Sequence, residues 1–162
     1  MCSSDLDILA ITDEIYEHIY YEGDHVPLAT FDGMRDRTIT ISGLSKTFSV
    51  TGWRIGTIIA PPQLSGAIRK VHDFLTVGAP APLQEACAVG LNELGPDYYS
   101  DMVTGYKARG EVLVRGLQEA GFKCQHPQGA YYVLADFSDL SDEDSMTFGR
   151  RLAAEGGVAP DR

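Results

Sequence analysis

Three groups of side chains in this sequence could do chemistry: Asp13 with Tyr16, Lys46 with its neighbours Ser45 and Thr47, and Arg54. A carboxylate, a phenol, an amine and a guanidinium can between them pair with charge, move a proton and hold an anion. Taken singly, each has an ordinary explanation. A loop lysine is usually a solvated cation. An Asp-Glu pair after a strand is usually a cap or a solvated turn. An arginine at the start of an apolar run can be an edge charge. Ser45-Lys46-Thr47 also hints at a nucleotide phosphate loop, but that motif needs glycines where Ser45 and Thr40 stand, so it is rejected.

What makes the groups worth reading together is where the elements put them. Residues 7–12, 38–42 and 54–60 are short strand-like runs, the first and third apolar nearly throughout, as in strands buried on both faces. Asp13 follows the first run, and Lys46 follows the second after Gly43, Leu44 and Ser45. Ligands of open α/β sheets bind beyond the carboxyl ends of strands, so both residues can reach one crevice.

Helices come next. Leu64, Ala67, Ile68, Val71, Phe74 and Leu75 recur at helical spacing after Pro62. A second helix is expected over residues 82–94, stopped by Gly95-Pro96. A longer one carries a stripe that includes Tyr99, Val103, Tyr106, Leu113 and Leu117, and Gly121 closes it. Residues 130–136 read as a strand. Ser141 is then expected to cap a last helix, with Asp142, Glu143 and Asp144 in its first turn and Arg150 and Arg151 near its end.

Composition narrows the function classes. The 162 residues carry a formal charge of -10, which disfavours nucleic acid but leaves room for a small anion held by placed cations. No apolar run is long enough for a membrane span, and residues 1–7 lack the pattern of a signal peptide, so a cytoplasmic protein is expected. Cys2, Cys87 and Cys124 are odd in number and widely spaced, and His18, His25, His72 and His126 are scattered. Reduced thiols and no metal site are expected.

The run Ser42-Gly43-Leu44-Ser45-Lys46-Thr47-Phe48-Ser49-Val50-Thr51-Gly52-Trp53-Arg54-Ile55-Gly56 resembles the lysine signature of class I and II aminotransferases, pyridoxal-phosphate enzymes of fold type I. Upstream, Thr12-Asp13-Glu14-Ile15-Tyr16 resembles a second signature of the same family, in the right order and at the right spacing. Pro127-Gln128-Gly129-Ala130-Tyr131-Tyr132-Val133-Leu134 is similar to the family's strand entering its small domain. The resemblance runs from about Asp7 to Val158.

It implies roles that make physical sense. Lys46 would condense with the aldehyde of pyridoxal 5'-phosphate and later shuttle the substrate's α-proton. Asp13 would pair with the pyridinium nitrogen and keep the ring an electron sink. Tyr16 would donate to the phenolic oxygen. Arg54 would clamp the phosphate with its planar fork, helped by the hydroxyl of Ser45. Some members carry a phosphate-contacting serine where Gly43 stands here, so that contact is weakened. Trp53, the only Trp, is expected to be structural, and His18, Tyr20 and Tyr21 to pack rather than face substrate.

The implied fold class is α/β: the C-terminal part of a mostly parallel sheet domain over residues 7–95, a long bridging helix over 96–120, and the start of an α+β small domain over 121–162. The implied reaction is amino transfer between an α-amino acid and a 2-oxo acid. The implied assembly is a homodimer with no nucleic-acid or membrane partner. A carbon–sulfur lyase of the same family, or an aminotransferase-like sensing domain of a transcription regulator, are the alternatives. The family's glycine-rich phosphate loop and its substrate-carboxylate arginine are expected outside this sequence. Residues 1–6 read as a non-native leader: with a GTG start they back-translate to GTG TGC TCT TCC GAT CT, the end of a sequencing adapter.

Overall fold

The computed structural model describes residues 8–158. The chain divides into two compact units: one of residues up to Tyr106 with Gln128–Ala130, the other of Lys107–Pro127 with the residues from Tyr131 onward. The expected leader lies outside the described residues.

The first unit is built on a sheet in the order β1 (Ala10–Asp13), β2 (Thr38–Gly43), β3 (Gly56–Ile59). β1 and β2 are parallel, with Asp13 opposite Ile41. β3 is antiparallel to β2, with Gly56 opposite Gly43. Alternating Thr and Ile in β2 suits a pleated strand. The third strand starts later than the sequence suggests, because Arg54 has left-handed backbone (φ 56°) and cannot continue a strand. The strands expected to be buried on both faces are not: Ile11 and Ile59 are each 69% exposed.

The chain leaves β2 directly into a single turn, α1 (Leu44–Thr47). Leu44, Ile55 and Cys87 form a small core, with Phe48, Ala79 and Leu83 packed against it. α2 (Pro62–Leu75) opens with proline, whose missing N–H costs nothing in a first turn. It ends at Thr76, whose N–H bonds the carbonyl of His72, and the left-handed Val77 (φ 64°) then turns the chain away. α2 buries no residue, and Phe74 is 94% exposed. α3 (Ala81–Glu93) lays Gly90 against Phe48: a Cβ there would sit 3.2 Å from the ring, so a larger residue would push the two apart.

α4 (Pro96–Glu119) is one continuous helix that runs from the first unit into the second. In the second unit, β4 (Lys123–Cys124) pairs antiparallel with β5 (Ala135–Asp136). The strand expected over residues 130–136 therefore shrinks to its last two. Ala130 is left-handed (φ 56°), which interrupts extended backbone at the start of that run.

The last helix, α5 (Ser145–Arg151), also begins later than expected. Its cap is Asp144, not Ser141: the Asp144 carboxylate accepts from the N–H groups of Met146 (3.0 Å) and Thr147 (3.1 Å). Ser141 instead closes a turn on Glu143, accepting from its N–H at 3.2 Å and donating to its carboxylate at 2.8 Å. Arg150 and Arg151 do lie in the last turn of α5, and Arg151 binds Glu143 at 2.7 Å. Phe148 is buried, stacked on Phe137 with ring centroids 4.2 Å apart.

Candidate active site

Asp13 ends β1, and Lys46 lies in the turn directly after β2. Because β1 and β2 are parallel, these are carboxyl ends on the same side of the sheet. β3 runs the other way, so Arg54, just ahead of it, approaches that side too. One sheet end thus gathers carboxylate, amine and guanidinium from three segments of chain.

The side chains have distinct surroundings. Asp13 is exposed, and its Oδ1 accepts from the N–H of Ile15 at 3.2 Å. Tyr16 is half-buried, and the two line a cleft of about 310 Å³ shared with Glu14, Glu17, Tyr20 and His25. Lys46 is half-buried between the buried Ser45 and Thr47. Lys46, Ser45 and Arg54 do not line that cleft. Ser45 and Arg54 are instead joined through Thr51, whose hydroxyl donates to the carbonyl of Ser45 (3.3 Å) and whose carbonyl accepts from Arg54 Nη1 (3.1 Å).

Glycine at positions 43 and 56 has a local reason. A Cβ at Gly56 would lie 2.9 Å from the backbone oxygen of Ser42, which cannot shift without breaking the strand pair. A Cβ at Gly43 would press on Ile15 Cδ1 at 3.1 Å, so a serine there would require Ile15 to move.

Sequence reasoning passed over three residues. Thr51 lies inside a motif already singled out, but its bridging role depends on the fold of the loop. Glu14 is only 7% exposed, beside the exposed Asp13. Its carboxylate accepts from Thr12 Oγ1 and meets His25 Nε2, each at 2.8 Å. His18 lies against Tyr99 with centroids 4.7 Å apart and Tyr21 donates to the carbonyl of Ala130, whereas Tyr20 bridges to Gly129 through its backbone and its exposed side chain lines the cleft. Burial, then the neighbouring Tyr106, pushes the Tyr21 phenol above its ordinary range.

An α/β chain with ionisable side chains collected at one sheet end is the general class this fold and site define. The family model for aminotransferase class I and II matches residues 3–161. Kynurenine–oxoglutarate transaminase of Dictyostelium discoideum is 39% identical over 132 residues, covering 80% of this chain and 30% of that protein. The structure of N-succinyldiaminopimelate aminotransferase from Mycobacterium tuberculosis superposes with a TM-score of 0.92 at 37% identity, covering 97% of this chain and 41% of that one. An Escherichia coli structure reported to identify a methionine aminotransferase function gives 0.86 at 34% identity, covering 94% of this chain and 40% of that one. The chain belongs to the class I and II aminotransferases and carries part of their fold. It spans well under half the length of these relatives, between 30% and 41%.

Among the described residues, no helix is long and apolar enough to cross a membrane.

Proposed function

We propose that this chain supplies the lysine-bearing part of the active site of a pyridoxal-phosphate-dependent aminotransferase. The protein moves an amino group from an α-amino acid to a 2-oxo acid. The observation that carries this reading is the shared sheet end: Asp13 and Lys46 follow adjacent parallel strands, with Arg54 returning beside them. The donor set fits the cofactor group for group. A carboxylate suits a protonated ring nitrogen, a phenol suits a phenolic oxygen, an amine suits an aldehyde, and a guanidinium with a hydroxyl suits a phosphate.

When bound, pyridoxal phosphate supplies a carbonyl for an amine and a ring that accepts the electron pair left on the substrate α-carbon. Asp13 holds the proton on the ring nitrogen. Tyr16 donates its hydroxyl to the phenolic oxygen. Lys46 Nζ would hold the cofactor at its aldehyde and would be the group that moves the proton at the substrate α-carbon. Arg54 and Ser45 hold the phosphate, and Thr51 ties that pair together. The protein acts as a homodimer in the cytoplasm, on amino-acid and 2-oxo-acid substrates.

The test is an assay of the full-length protein with a panel of α-amino acids and 2-oxoglutarate. Formation of the matching oxo acid with glutamate is expected. Release of pyruvate and ammonia without glutamate would instead identify a lyase.

A further inference from the structure

We propose that Glu14 and His25 form a positioning pair that sets the direction of the Asp13 carboxylate toward the cofactor ring; this rests on the aminotransferase reading above.

Glu14 is only 7% exposed, and a carboxylate so placed is costly unless its oxygens are satisfied. Both are. Oε1 accepts from Thr12 Oγ1 at 2.8 Å, and Oε2 lies 2.8 Å from His25 Nε2. An ionised carboxylate can only accept, so Nε2 carries the hydrogen. The backbone of Glu14 is fixed as well: its N–H extends the ladder to the carbonyl of Ile41 at 2.8 Å, and its carbonyl accepts from the N–H of Glu17 at 2.9 Å.

Glu14 is therefore an anchored residue between Asp13 and Tyr16, and all three line the same cleft. The anchor depends on His25, which comes from the following loop. Without the imidazole, one buried oxygen loses its partner. The released carboxylate can then swing into the cleft it shares with Asp13, where like charge turns the Asp13 carboxylate aside. His25 acts through Glu14, so it is a positioning residue and not a catalytic one.

The experiment uses the full-length protein with cofactor, comparing His25→Ala, His25→Gln and His25→Asn with Lys46→Ala as reference. Gln places an amide N–H near the position of Nε2; Asn is too short to do so. His25→Ala and His25→Asn are expected to weaken pyridoxal phosphate binding about tenfold and to shift its visible absorption band, with kcat reduced more than KM is raised. His25→Gln should restore binding and band to within about threefold of wild type. Unchanged binding and band in His25→Ala, or equal behaviour of Gln and Asn, overturns the proposal. If His25→Ala fails to fold, the Gln–Asn comparison decides alone. A Lys46→Ala protein that keeps the normal visible band would overturn the aminotransferase reading itself, whatever the His25 variants do.

Discussion

Tyr98 donates its phenol hydroxyl to the carbonyl oxygen of Thr47 across 2.7 Å, so the first turn of α4 is fastened to the residue after Lys46. The Tyr98 ring also lies 6.0 Å from that of Phe48, centroid to centroid. Tyr98→Phe keeps the ring and removes the bond, and should cost about 1 kcal/mol of stability. Burial first, then Tyr99 and Tyr106, holds the Tyr98 phenol above its ordinary value of 10.0. A raised acid keeps its proton longer in the fold than in the unfolded chain. Its contribution is therefore complete below pH 10 and fades as pH rises through the folded value. Chemical denaturation of the full-length protein at pH 8 and pH 11 should show a smaller alkaline loss in the variant.

Lys46→Ala should abolish the visible absorbance of bound cofactor and lower turnover by at least about a hundredfold. Asp13→Asn should keep the cofactor but lose about tenfold to a hundredfold in turnover, because a neutral amide stabilises the ring charge poorly. Absorbance spectra and steady-state kinetics of the full-length variants separate the two roles. Near-native turnover in either variant would remove that residue from the site.

Asp144 caps α5, and its bonds to the hydroxyl and N–H of Thr147, with a further one from Met146, hold its carboxyl below the ordinary 3.8. The sign follows from linkage. A depressed carboxyl stabilises the fold above its unfolded value, and that contribution is lost as pH falls through the folded one. Asp144→Ala should destabilise α5 at pH 7 and flatten its acid sensitivity below about pH 4, whereas Asn, also a good cap, should retain the helix. Hydrogen exchange at the amides of Met146 and Thr147 reads this directly.

The 162-residue chain expressed alone should self-associate. Phe74, Val77 and Leu134 are 94%, 85% and 91% exposed, and the sheet presents Ile11 and Ile59 at 69%. Apolar surface of this kind drives association. Size-exclusion chromatography with light scattering should give species well above 17.6 kDa. A monodisperse monomer with a cooperative melt would contradict the expectation.

What could be read from the sequence was local. The runs that became β1, β2 and β3 were visible as apolar or β-branched clusters, and the order strand, acid, strand, lysine placed Asp13 and Lys46 at one sheet end. Single backbone angles were not visible. Arg54 and Ala130 are left-handed although neither residue type favours it; Arg54 delays the start of β3, and Ala130 breaks extended backbone at the first residue of the run that ends in β5. The cap of α5 was misread because Ser141 and Asp144 are both good caps, and the choice depended on which one the chain presented to free N–H groups. Contacts made across loops escaped for the same reason. Nothing local to His25 announces Glu14, and nothing in Thr51 announces that it joins Ser45 to Arg54.

Trp53 is the only tryptophan of the chain, 37% exposed and immediately before Arg54 in the turn that leads into β3. Indole emission responds to solvent and to nearby anions. The chain's intrinsic fluorescence under tryptophan-selective excitation therefore comes from one place, next to the guanidinium proposed to take the phosphate. Titrating inorganic phosphate against that signal offers an optical probe of the anion subsite that needs neither the aldehyde nor turnover.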